Sequence, residues 1–170
     1  MKKIIYINFI SLILIFSQGC GIYSFTGASI PPGAKTFSVD YFKNNAPIFN
    51  ATLSQEITEM LQDKLMSQTP LDLTETNGDL QFKGVITSYK SAPVSIVSRN
   101  SPEAASNRLS ITVKVDFINL MDETASFSQS FTRYHDYPAS QNLSAAEPII
   151  VPIILELITD DIFNKAVVNW

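Results

Sequence analysis

The sequence predicts an α+β fold: a two-layer sandwich with two amphipathic helices on one face of a mixed four- to five-stranded sheet. Three observations carry this. Leu53, Ile57, Leu61 and Leu65 recur every fourth residue, the stripe of a helix with one buried face. Leu109, Ile111, Val113, Val115 and Phe117 alternate with Ser110, Thr112, Lys114 and Asp116, the signature of a half-buried strand. The elements run strand, helix, several strands, helix, and the economical way to bury such faces is to pack helices against one side of a sheet.

The elements follow in order. Lys35 to Phe42 alternates, with Phe37, Val39 and Tyr41 on one face of a first strand, and Lys43 to Pro47 is a polar turn. A helix runs from about Thr52 to Ser67, where Thr52 and Gln55 have capping-box spacing. Pro70 stops it, and Leu71 to Glu75 forms a short edge strand. Asn77-Gly78 is a hairpin signal, followed by a strand from Asp79 to Lys90 with Leu80, Phe82 and Ile86 on one face. Gly84 shares that face, where a helix would approach closely, and Tyr89 falls on the polar side. Ser91 to Asn107 holds Pro93 and Pro102 and reads mainly as a long loop, its first part extending the strand. Arg108 to Asn119 and Ala125 to Tyr134 are the last strands, the latter with Phe127 and Phe131 inward and Tyr134 outward. A second helix covers about Ala145 to Val168, with Ile154, Leu155, Ile158, Ile162, Phe163 and Ala166 inside. Pro148 suits its first turn, whereas Pro152 would cost about 3 kcal/mol inside a helix and argues for a start at Val151.

The first nineteen residues stand apart from this body. Lys2 and Lys3 precede an apolar run from Ile4 to Phe16, too short to span a bilayer, which needs about 20 apolar residues. Ser17-Gln18-Gly19-Cys20 then reads as a lipobox, although Ser17 stands where leucine is usual. Residues 1–19 are therefore expected to be a removed lipoprotein signal peptide, Cys20 the lipidated start of a tether to residue 34, and 35–170 one domain. Each buried methylene of such an anchor contributes about 0.8 kcal/mol, so two or more chains hold durably. Cys20 is the single cysteine, which excludes disulfides, and its acylation would exclude thiolate catalysis. Gly21 rather than an acidic residue follows it, which favours outer-membrane sorting by the commonest rule.

The whole chain has 12 basic and 16 acidic side chains, and losing Lys2 and Lys3 makes the mature chain more acidic still. Such a surface has no general attraction for nucleic acid or anionic headgroups. Any anion must be met by a local cluster, and Lys90, Arg99 and Arg108 around the long loop are candidates, with Lys83 and Lys114 on polar strand positions. No catalytic constellation is legible. His135 is the only histidine, too few ligands surround it for a metal, and no nucleophile-elbow or phosphate-loop motif occurs. Asp122-Glu123 and Asp160-Asp161 are adjacent pairs whose side chains diverge, unlike facing catalytic carboxylates. No cofactor is expected beyond the lipid on Cys20.

Cys20-Gly21-Ile22-Tyr23-Ser24-Phe25-Thr26-Gly27 resembles the lipidated start of the lipopolysaccharide-assembly lipoproteins of the LptE family. Ile30-Pro31 before the first strand, a helix with Leu53, Thr58 and Leu61, the run Asp79-Leu80-Gln81-Phe82-Lys83-Gly84, and the closing helix from Asp161 to Trp170 follow in the family's order. The resemblance spans nearly the whole mature chain. It implies two helices on a four-stranded sheet and no covalent chemistry. It further implies an outer-membrane lipoprotein, facing the periplasm, that plugs the barrel protein LptD, helps it fold and binds lipopolysaccharide. Basic residues near strand ends would make that contact, which Lys90, Arg99 and Arg108 match by charge and position. A lipid-anchored binding module without a barrel partner is the alternative.

Overall fold

The computed structural model describes residues 30–47, 50, 52–94 and 106–168. Six strands form one mixed sheet: β1 Thr36–Val39, β2 Lys43–Asn44, β3 Asp72–Leu73, β4 Leu80–Val94, β5 Ser106–Asn119 and β6 Phe127–Pro138. Two helices, α1 Leu53–Gln68 and α2 Leu143–Val167, pack on one face. The strand order is β3-β1-β4-β5-β6, with β2 added beside β4. β1 and β2 run parallel to β4, whereas β4, β5 and β6 are antiparallel, so the expected mixed two-layer sandwich forms.

The core lies between the layers. Leu53, Ile57, Leu61 and Leu65 of α1 are buried, as are Leu109, Ile111, Val113, Val115 and Phe117 of β5 and the expected inner stripe of α2 from Ile154 to Phe163. Phe82, Phe117 and Phe127 stack in series, with ring centroids 4.9 and 5.2 Å apart.

Several local expectations are corrected. Strand alternation fails after Val39: Tyr41 is exposed and Phe42 is buried. The expected turn after it carries β2, which rejoins β4 at Val85 and Ile86. The Phe42 amide at this break donates to the buried Thr58 hydroxyl (3.1 Å), which itself donates to the Ser54 carbonyl (2.6 Å). Phe42 then lays its ring over Gly84, where any Cβ would overlap it, so a ring rather than a helix makes the close approach. The capping box is absent: Thr52 makes no side-chain cap, and Gln55 bonds Glu59 instead. Thr52 is held through its amide and hydroxyl by Asn50 (both 3.1 Å).

Asn77-Gly78 lies in the connection from β3 to β4 but makes no hairpin. β3 and β4 lie parallel on either side of β1, Leu73 and Leu80 both opposite Phe37. The connection crosses β1 so tightly that a Cβ on Gly78 would overlap the Phe37 backbone, while Asn77 takes the left-handed conformation at φ 55°. Asp79 then clasps the start of β1, accepting from the amides of Lys35 (2.8 Å) and Thr36 (3.0 Å) and from the Thr36 hydroxyl. These bonds hold its carboxyl below the ordinary carboxylate value.

The second helix begins at Leu143, with Asn142 capping the Ala145 amide (2.9 Å), and contains both prolines. Pro148 and Pro152 point away from the core, so the carbonyls they deprive of donors lie toward water, where solvent satisfies them.

Candidate functional site

The open face of the sheet gathers most of the expected contact residues. β4 runs on to Val94, as expected of the first part of the stretch after Lys90, and β5 begins at Ser106, inside the part expected to be loop. A one-residue bulge shifts the register: Ile86 faces Val113, but Ser88 faces Thr112. Thr87 is therefore extra, and every later side chain of β4 changes sides. Tyr89 turns inward, 2% exposed, contrary to its expected polar-side position, and Lys90 turns outward.

Across the sheet Lys90 faces Ser110, which faces Tyr134, and in the next outward row Ala92 faces Arg108, which faces Asp136. Lys90 and Arg108 are thus diagonal neighbours on one face. Arg108 forks onto Asp136, Nε to Oδ1 at 2.7 Å and the second nitrogen to Oδ2 at 2.9 Å, and lies 3.7 Å from the centroid of Tyr134. The pair holds Asp136 below and Arg108 above its ordinary value. Tyr134 is 51% exposed, as expected, leaving a flat guanidinium-on-phenol platform with the Lys90 ammonium diagonal to it. An anion could exchange with Asp136 on the guanidinium fork. Arg99, like Cys20, falls outside the described residues.

The remaining titratable groups serve the fold. His135 Nδ1 lies 2.9 Å from the Asp136 carbonyl oxygen. Asp122 accepts from the Thr124 amide at 3.0 Å in the turn after β5. Asp160 pairs with Lys64 of α1, and Asp161 accepts from Nε and Nη2 of Arg133, each at 2.6 Å, tying α2 to both layers. Among the described residues no group of three or more histidine, cysteine or acidic side chains could hold a metal.

A second surface escaped the sequence reading. Ile149, Ile153 and Leu157 stand 65%, 38% and 40% exposed on the outer side of α2. Beside them is a notch of about 410 Å³ lined by Asn50, Thr52, Glu56, Glu147, Pro148, Val151 and Pro152. The buried Tyr89 hydroxyl donates to Glu147 Oε1 across 2.5 Å. Burial and this carboxylate push the phenol's pKa up. A signal was available: from Ile149 to Ile158 large aliphatics fall at every angle, more than one buried stripe can use.

The described residues thus present two broad contact faces, one polar on the sheet and one apolar on α2. The model of the family described as LptE, lipopolysaccharide-assembly, matches residues 34–166. The chain belongs to the LptE family, whose members are non-enzymatic envelope lipoproteins of lipopolysaccharide assembly. Its fold is similar to that of rare lipoprotein B from Shewanella oneidensis (12% identity, 75% of this chain and 92% of that one, TM-score 0.52). It is also similar to lipoprotein B from Nitrosomonas europaea (10%, 86% and 88%, 0.52) and a minor lipoprotein from Acinetobacter baumannii (13%, 78% and 91%, 0.50). At these identities the likeness is one of fold. No curated protein matches the sequence.

Proposed function

We propose that the chain is held at the outer membrane by lipid on Cys20, faces the periplasm, and plugs and helps assemble an LptD-type barrel that delivers lipopolysaccharide to the outer leaflet. The family match over residues 34–166 carries this reading. The physics supports it: a polar sheet face suits a wet barrel lumen. Affinity purification of the natively processed chain from detergent-solubilised membranes is expected to bring down a barrel protein in near-equal amount. Intact mass of the same sample is expected to show acyl chains on an amino-terminal Cys20. Purification of the chain alone would favour a binding module without a barrel.

Lipopolysaccharide would meet Lys90 and Arg108 on the open sheet face, with Arg99 the third candidate by charge and sequence position, and these cations match its phosphates. Arg108 keeps Tyr134 beneath it as a platform. Reversing all three charges is expected to weaken lipopolysaccharide binding at least several-fold, more at low salt than at high. Unchanged binding by the folded triple variant would remove these residues from the account.

A further inference from the structure

We propose that the outer face of the first half of α2 is the docking surface for a segment of the barrel partner that presents aliphatic side chains around one lysine or arginine; this rests on the barrel reading above. Ile149, Ile153 and Leu157 are spaced by four residues, so they make one stripe about 12 Å long. Single exposed aliphatics are ordinary, but a contiguous apolar stripe is a contact surface. Pro148 and Pro152 stand exposed beside it, widening the apolar strip. They also free the carbonyls of Ser144 and Pro148, leaving hydrogen-bond acceptors on the exposed side of the helix.

The notch beside the stripe decides the occupant. Its walls carry the carboxylates of Glu56 and Glu147, and its apolar lining is Pro148, Val151 and Pro152. A basic side chain fits both parts, its methylene stem on the prolines and its charge between the carboxylates. The Tyr89 hydroxyl fixes Glu147 before anything binds, which lowers the ordering cost of that contact. A bilayer surface is the wrong partner. Along α2 the flanking charges are Glu147 and Glu156, and no basic residue occurs before Lys165, so anionic headgroups would be repelled. A symmetric pair of copies is disfavoured too, because it would set equally acidic notches against related surfaces with no cation to meet them.

The test uses the full, lipid-modified chain made in cells with its barrel. Ile153→Asp with Leu157→Asp, and separately Glu56→Arg, are expected to lower the barrel recovered per chain about tenfold or more, with the thermal melt of the chain kept. A photoreactive residue placed at Ile149 or Ile153, which needs no disruptive charge, is expected to crosslink to the barrel. Undiminished barrel recovery by the folded variants overturns the inference. So do crosslinks only to a second copy, only to lipid, or to nothing, while the wild-type chain still brings down the barrel. A wild-type chain that purifies without any barrel removes the underlying reading, and the inference with it.

Discussion

The open face of the sheet and the outer face of α2 both meet water in the isolated chain, yet they are built differently. On the sheet, polar groups answer one another: Arg108 with Asp136, Thr112 with Thr132 at 2.9 Å, Ser128 with Asp116, and Lys114 4.0 Å from the same carboxylate. That face is complete in water and can hold a polar ligand by exchange. On α2, aliphatic side chains stand beside two carboxylates with no cation on their own helix before Lys165. That face gains by being covered. The difference separates a face whose polar groups are largely paired from one whose apolar groups are not.

The largest expected effect contrasts neighbours on α2. Ile154→Ala removes a fully buried side chain and is expected to cost about 2–5 kcal/mol in urea unfolding. Ile153→Ala, one residue away on the outer side, is expected to change stability by no more than about 0.5 kcal/mol while weakening partner recovery. Equal losses of stability would mean that the outer stripe belongs to the core.

A smaller contrast uses threonines. Thr58→Val leaves the buried Phe42 amide without its acceptor and is expected to cost about 1–3 kcal/mol. Thr132→Val on the open face breaks only a solvated pair and is expected to cost less than about 1 kcal/mol. Thermal melts of both variants decide whether the sheet face is as independent of the core as its geometry indicates.

The smallest contrast is electrostatic. Asp79 and Asp136 both have folded pKa values below the ordinary 3.8, so each contributes stability above that value and loses it as pH falls through the folded pKa. Asp79→Asn is expected to destabilise at neutral pH and to converge on wild type as pH falls through the lowered folded pKa. Asp136→Asn is expected to do the same more weakly, by at most about 0.5 kcal/mol, because its pair with Arg108 is exposed, and to lose even that in high salt. Chemical unfolding across pH 2 to 7 at two salt concentrations reads both.

Where one periodicity governs a whole element, the sequence could be read directly. The four-residue stripe of α1 and the alternation of β5 place their buried residues correctly. Misreadings arise where a single residue resets the phase. One extra residue at Thr87 turns Tyr89 inward, and a break at Asp40-Tyr41 buries Phe42, and neither leaves a mark in local composition. Asn77-Gly78 marked a break between strands, but not that β1 lies between the strands it separates, because pairing partners are set by distant residues. Pro152 argued against a helix through the general cost of proline in a helix interior; on the exposed side of α2 it is tolerated. Of the candidate site, charge and position found Lys90 and Arg108, but not that Asp136 would already hold Arg108. The period of the α2 surface does not stand out, because its aliphatics adjoin those of the inner stripe in sequence.

The central claim is that the outer face of α2 is open in the free chain and covered in the assembled envelope, while the sheet's open face stays wet. Hydroxyl-radical footprinting of the chain alone and in its barrel complex measures this at the side chains concerned. The expected result is strong labelling of Ile149, Ile153 and Leu157 in the free chain and protection of all three in the complex, with Tyr134 changed much less. Equal labelling of the three aliphatic residues in both states, with Tyr134 protected instead, would contradict it.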